Sequence, residues 1–323
     1  MNARSSLCRH AVAAAWTLAG LSRAAVAQPG TLVHWGYEGV GLASVPAGTF
    51  RSVTGGLEHG LAIRADGTLV AWGSNTYGQL NVPSGQFKSV SSFFTHTAAV
   101  RVDGSAVAWG GQNPYGQLSI DPGVYVQAAT GDAFTLLLRA DGTLFGTGIN
   151  DGGQINVPPG EFLAVTSGRV HSIAIAPDST LVGWSGKIWG EGEPPPGTFR
   201  RVAAGNRFSI GIREDGSLAA WGYSSLGATA VPPGAFVEIA AAYYWAIGLR
   251  ADGRIITWGA LAFPPPAGSF AHIGAGRNFG LAIRGVACVA NCDLSTMPPA
   301  LNVNDFACFV NAFAAGCPTM PGT

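Results

Sequence analysis

The chain has 323 residues and a formal net charge of zero, with only 11% of residues charged, against about 25% in ordinary globular proteins. Glycine (47) and proline (20) are abundant. This balance excludes the basic surface that nucleic-acid backbones require and points to an all-β protein with many turns.

The first residues read as a secretory signal peptide. Arg4 and Arg9 precede an apolar run from Ala11 to Gly20, and Ala25-Val26-Ala27 forms an A-x-A pattern before Gln28. The run is short for a bilayer span. Export with removal of residues 1–27 is therefore expected, rather than an N-terminal membrane anchor. The mature protein is then secreted or held in the cell envelope. Cys8 leaves with the signal.

Residues 28–285 repeat. Trp35, Trp72 and Trp109 are 37 residues apart, as are Trp184, Trp221 and Trp258. The gap of 75 between Trp109 and Trp184 holds Thr147-Gly148 at the missing position. That makes seven copies. Most copies carry an Asp-Gly turn before this strand, beginning with Asp66-Gly67 and ending with Asp252-Gly253; Pro29-Gly30 and Asp178-Ser179 take its place in two copies. A second element runs from HGLAIR (59–64) to FGLAIR (279–284), also in seven copies. It starts after the first Trp-Gly strand and ends after the last. The strand at 31–35 therefore has no partner before it, and the strand at 279–284 has none after. Edge strands are costly, and a closed ring removes both. The expected fold is a seven-bladed β-propeller in which the first strand completes the last blade.

One repeat reads as four short strands, of the types 87–90, 59–64, 69–72 and 80–82. The Asp-Gly turns close hairpins, because glycine accepts positive φ. Pro-rich links such as VPSG join blades, where no ladder N–H is needed. In the third strand Leu69 and Ala71 face one way, and Val70 and Trp72 the other.

No enzyme signature emerges, and no catalytic residue is assigned. His59, His96 and His171 fall at one repeat position, which elsewhere holds Phe134, Phe208, Trp245 and Phe279. A position that accepts Phe and Trp is a packing position rather than a metal ligand. No Ser/His/Asp set has a recognisable local context, and the glycine turns open no helix that could cradle phosphate. If strands alternate up and down, the Asp-Gly turns and Pro-Gly links share one face. The tips before the His position and the Trp-Gly-x-Asn loops share the other. The first face is monotonous. The second varies and carries Phe94, Arg169, Trp189, Asn206, Arg207, Tyr243, Tyr244 and Arg277, including residue types that make binding hot spots. A protein-binding face is expected there. The alternative is an enzyme, a lyase or hydrolase, with its site at the mouth of the propeller channel. Carboxylates or histidines around the channel would favour the enzyme, and an aromatic, Arg-rich patch would favour binding.

The motif order Gly-x-x-His-x-x-Ala, Asp-Gly, Trp-Gly-x-Asn, Gly-Gln-Leu resembles the regulator of chromosome condensation repeat family. Residues 56–80 match it most fully, NPYGQL (113–118) repeats its end, and the resemblance covers about 30–285. The 37-residue period is similar to that of secreted bacterial members, β-lactamase inhibitor protein II among them. The resemblance implies the propeller fold. It does not carry the eukaryotic member's nucleotide exchange on chromatin to a neutral, exported chain, because fold alone does not transfer function.

The last segment, 286–323, differs in kind. It holds Cys288, Cys292, Cys308 and Cys317. In an exported protein these form two disulfides, with three pairings open. Asn302-Val303-Asn304-Asp305 leads into a helical apolar pattern of Phe306, Phe309, Val310 and Phe313. The segment resembles one half of a cysteine-bearing dockerin loop followed by its helix. That resemblance implies Ca2+ on Asp293, Ser295, Asn302 and Asp305, and a docking partner for attachment. No other cofactor, no nucleic acid and no membrane span are expected. Met297-Pro298-Pro299 stands where that family has ligands and its turn glycine, which impairs coordination. Mild reduction is therefore expected to raise hydrogen exchange across 286–323 while the cysteine-free propeller stays protected. A chelator alone is expected to change little. Strong deprotection by chelator with the disulfides intact would establish a calcium-dependent tail instead.

Overall fold

The computed structural model of the protein describes residues 30–260 and 262–285. The expected signal peptide, the four tail cysteines and Asp293, Ser295, Asn302 and Asp305 lie outside the described residues. The described part falls within one compact unit, Pro29–Ala287.

It consists of seven antiparallel three-stranded sheets. Blade I is β2 (Phe50–Gly55), β3 (His59–Arg64) and β4 (Leu69–Gly73). Blade II is β5 (Phe87–Ser92), β6 (Thr97–Arg101) and β7 (Ala106–Trp109). Blade III is β8 (Tyr125–Thr130), β9 (Phe134–Arg139) and β10 (Leu144–Gly148). Blade IV is β11 (Ala164–Ser167), β12 (His171–Ile175) and β13 (Leu181–Ser185). Blade V is β14 (Phe199–Ala204), β15 (Phe208–Arg213) and β16 (Leu218–Gly222). Blade VI is β17 (Glu238–Ala241), β18 (Trp245–Leu249) and β19 (Ile255–Gly259). Blade VII joins β20 (Phe270–Gly276) and β21 (Phe279–Arg284) to the strand nearest the N-terminus, β1 (Leu32–Gly36). The closing pair runs antiparallel from Leu32 opposite Ile283 to Gly36 opposite Phe279.

Each blade has three strands where the sequence pattern suggests four. The segment of type 80–82 is a tied loop. Asn75 Oδ1 accepts the Leu80 N–H at 2.8 Å, Asn81 N–H bonds Gly78 O, and Val82 N–H bonds Leu80 O. Pro83 has no N–H to give. With its donors used locally, the segment has none for a ladder.

The core lies between blades. Leu69 and Ala71 pack toward blade II with Phe87 and Trp109, while Val70 and Trp72 pack toward blade VII with Phe279 and Leu281. The middle strand of each blade is covered on both sides. This is why HGLAIR-type strands read as almost continuous apolar runs.

Polar side chains also join the blades. The indole N–H of Trp72 donates to Leu42 O at 3.1 Å, that of Trp109 to Gln79 O, that of Trp184 to Gln154 O and that of Trp258 to Ala228 O. Each acceptor belongs to the loop of the preceding repeat. Where Trp is missing, the Thr147 hydroxyl donates to Gly116 O at 2.9 Å in its stead. Gln79 and Gln154 are buried and fold the same loops by accepting N–H groups two residues back. On the inner strands, Gln127 exchanges two hydrogen bonds with the Val165 backbone of the next blade.

The turn face is built by repetition. Ala65-Asp66-Gly67 spans β3 and β4 with Gly67 at φ +89°, and the Asp66 carboxylate accepts from both N–H and O–H of Thr68. Ser179, which replaces glycine in blade IV, is held at φ +66°. Arg64 lies over the Phe50 ring at 5.1 Å. The same stacking recurs in five further blades, Arg213 over Phe199 being the closest at 4.8 Å. Blade IV has Ala176 at the Arg position.

His59, His96 and His171 are buried, and each meets a hydroxyl of the following blade. His59 Nε2 is 3.0 Å from Ser92 Oγ, His96 Nε2 is 3.1 Å from Thr135 Oγ1, and His171 Nε2 is 2.7 Å from Ser209 Oγ. Burial lowers His59 and His96 to a pKa of about 4 and His171 to about 3. In blade VI the indole of Trp245 makes the equivalent reach, to Arg277 O.

Two expectations follow from these joints. Deletion of 28–37 from the mature protein bares the outer edge of β21 and should cause aggregation; a monomer with an unchanged melting temperature would show that closure is dispensable. The histidines should also make stability pH-dependent. Unfolded imidazoles bind protons below about 6.5, whereas the folded ones stay neutral down to about 4. Stability is therefore full above pH 6.5 and falls as pH drops toward 4, by on the order of 3 kcal/mol per histidine. The triple replacement by Phe, the residue found at this position in blades III, V and VII, should flatten the melting temperature across that window. An equal acid slope in both proteins would remove the histidines as its cause.

Candidate functional site

The three strands of a blade run up, down and up, so the connections segregate to two ends. Trp72-Gly73 lies opposite His59-Gly60 in the β3–β4 register, which puts the Trp-Gly-x-Asn loops beside the tips before the His position. Ser74 N–H bonds Glu58 O there. At the other end Arg101 Nε donates to Ser84 O and Arg250 to Pro233 O, joining the Pro-Gly links to the hairpin ends.

Backbone hydrogen bonds link the tips around the channel at five of the seven blade junctions. Leu57 N–H donates to Phe94 O, Asp132 to Arg169 O, Arg169 to Gly205 O, Asn206 to Ala242 O and Arg277 to Gly56 O, at 2.8–3.2 Å. Inside the ring is a cavity of about 170 Å³. The ends of the inner strands line it with small groups such as Ser92, Thr130, Ser167 and Gly276, and Phe93, Tyr243 and Arg277 also line it. No carboxylate or imidazole is among the lining residues described.

The sequence-derived candidates sort into three groups. The first surrounds the mouth. Tyr243 and Tyr244 pack edge to face at 5.0 Å, and the exposed Arg277 guanidinium lies 5.0 Å from the Tyr243 ring centre. Half-buried Arg169 pairs with Asp132 at 3.1 Å. That hydrogen bond raises its pKa further, and Tyr243 and Tyr244 act in the same direction, so both phenols lie within the field of Arg169. Phe94 and Arg207 are half-buried tip residues.

The second group is Trp189. It lies in an outer loop, 46% exposed and edge-on to Tyr223 at 4.9 Å. Its N–H is held by Glu191 Oε2, in the role that Gln79 plays in its own loop. Val40, Tyr77, Tyr115 and Leu226 are exposed at the corresponding loop position of other repeats.

The third group is Asn206, and it corrects the expectation of an exposed contact residue. It is 0% exposed, and neither its Nδ2 nor its Oδ1 has a hydrogen-bond partner. Its backbone bond to Ala242 draws it in between the tips of neighbouring blades.

Phe93 was not among the candidates. Its signal is present in the repeat, because it stands where five other copies have glycine (56, 131, 168, 205 and 276). At the far end of the inner strands, Glu238 and His272 pair at 3.2 Å between blades VI and VII. No group of three or more His, Cys, Asp or Glu side chains able to hold a metal ion occurs among the described residues. No helix among them is long and apolar enough to cross a membrane.

The pattern of the regulator of chromosome condensation (RCC1) repeat matches residues 50–79 and 199–228, in blades I and V. No curated protein matches the chain in sequence. Among solved structures, Prp20p from Saccharomyces cerevisiae, described with its binding properties to Gsp1p and histones, superposes with a TM-score of 0.69. The match is at 16% identity over 80% of this chain and 92% of that one. Human WBSCR16 superposes with a TM-score of 0.67 at 16% identity, over 79% of this chain and all (100%) of that one. The CRINKLY ectodomain of the Arabidopsis thaliana receptor kinase ACR4 gives 0.61 at 18% identity, over 72% and 91%. With β1 closing blade VII and the Trp-Gly, Asp-Gly and Gly-Gln motifs all at blade joints or turns, the described chain is a seven-bladed β-propeller, similar to the RCC1 repeat in blades I and V.

Proposed function

We propose that the protein is an exported, non-enzymatic scaffold that binds a protein partner through its tip face, with segment 286–323 serving attachment. The observation that carries this reading is the cluster of Tyr243, Tyr244 and Arg277 at the channel mouth. Tyr and Arg dominate interface hot spots because they bring large contact area and hydrogen bonds on preorganised side chains. Here each is already held by its neighbour, so little ordering remains for binding to impose. The similar propeller Prp20, structurally known with Kap60, supports protein binding by this architecture. Export rests on the pattern of residues 4–27, and the location follows as secreted or cell envelope. The attachment role rests on the dockerin resemblance of the tail.

Replacing Tyr243 and Tyr244 by Ala should leave the propeller folded, since both lie at a tip outside the blade ladders. Partner binding should weaken by about 2 kcal/mol or more per hot-spot ring. The measurement is recovery of native envelope proteins on immobilised mature protein, parent against variant. Recovery of the same proteins in equal yield would move the site off this tip.

A further inference from the structure

We propose that the channel mouth is a receptor for a single protruding carboxylate, an Asp or Glu side chain on the partner protein. The inference rests on the tip-face reading above and specifies its chemistry. Charge is the first observation. The chain as a whole is neutral, and the tips carry three guanidinium groups, Arg169, Arg207 and Arg277, against two carboxylates, Glu58 and Asp132. Arg169 is engaged by Asp132, while Arg207 and Arg277 have no acidic partner within ion-pair distance among the described residues. Arg277 is exposed and borders the cavity. Its seat over Tyr243 leaves the N–H edge of its planar fork as the surface that meets a carboxylate.

Lining and shape are the second observation. The cavity wall carries the hydroxyls of Thr54, Ser92, Thr130 and Ser167 beside apolar Val53, Phe93 and Ile273, and no carboxylate is among the lining residues described. A volume of about 170 Å³ admits one side chain but not a helix or a sheet edge.

The outer loops separate this ligand from an extended polyanion. Glu38, Asp151 and Glu193 are exposed there against a single exposed Lys187. A flat nucleic-acid or anionic lipid surface would meet those acids before reaching the mouth. A partner with one acidic side chain on a protruding loop would not.

The test is titration of the nitrogen-15-labelled mature protein with a short Gly/Ser peptide carrying a central Glu, and with its Gln twin. Saturable shifts of the Arg277 Nε–H resonance are expected with the Glu peptide, whose affinity should exceed that of the twin by about threefold to fivefold at low salt. Arg277→Gln should abolish the difference. Equal affinities, no saturable shift, or a difference that survives Arg277→Gln would overturn the proposal. So would a short DNA duplex or anionic vesicles that displace the Glu peptide at matched charge. The two readings fail separately. Native partners lost with the tyrosine pair replaced but retained by Arg277→Gln would keep the docking face and remove the carboxylate. Peptide selectivity in a protein whose partners ignore the tyrosine pair would do the reverse.

Discussion

The fold depends on the pairing of β1 with β21. A chain of repeats that packs blade on blade has two unsatisfied ends unless it closes, and each end presents an open strand edge and an apolar face. Here the first strand crosses into the last blade and pairs over five residues with β21. Leu32 then enters one interblade cluster with Phe50, Phe279 and Trp72, while Trp35 enters another with Trp245 and Phe270. One strand therefore completes both of the apolar layers that border blade VII. An additional bridge between Gly30 and Phe50 carries the closure into blade I.

Once the ring is closed, its polar economy follows a single rule: each repeat satisfies a neighbour. Indoles donate to the loop carbonyls of the preceding repeat, histidines meet hydroxyls of the following one, and inner-strand side chains bond the next strand's edge. Burying a polar group without a partner is costly, so a residue at a joint is constrained by the next blade as much as by its own. The histidine position shows this. His59, His96 and His171 occur where the following blade offers Ser92 and Thr97, Thr135 or Ser209. Phe208 and Phe279 stand where the following blade offers Ala246 and Gly60 at the hydroxyl position, whereas Phe134 stands opposite Ser172.

This coupling also explains which features were legible in the sequence. The period of Trp-Gly and the offset of the HGLAIR-type strand located the blades and the closing strand, because those motifs answer constraints that recur in every repeat. Thr147 was recognisable as a missing Trp by position alone, although its substitute hydrogen bond was not. The fourth strand was misread because Leu80–Val82 has strand-like composition; only the hydrogen bonds of Asn75 and Gly78 disclose a tied loop. At the site, the tips were correctly separated from the turn face, but which tip residues are exposed depends on neighbouring blades. Asn206 is drawn inside by a bond to blade VI, and Phe93 reaches the channel from a position where most repeats have glycine. Neither fact lies within one repeat. The Arg–aromatic pairs were also missed, since 14 residues separate Phe50 from Arg64 and only the bend of the hairpin stacks them.

The distribution of constraint then decides where recognition can reside. On the turn face, Asp carboxylates close hairpins, Arg side chains cover aromatic rings and donate to link carbonyls, and glycines hold positive φ. The Asp, Arg and glycine residues of these repeats already have a structural duty there, so changing them costs stability. On the tip face, five of the seven junctions between neighbouring tips are held by backbone bonds from N–H to C=O. A backbone bond accepts any side chain. Leu, Phe, Asp, Arg, Asn, Tyr and Arg succeed one another at the same tip position, from Leu57 to Arg277, without altering the blades beneath. The propeller therefore separates the residues that hold it together from those free to specify a partner, and it gathers the free ones around a single opening.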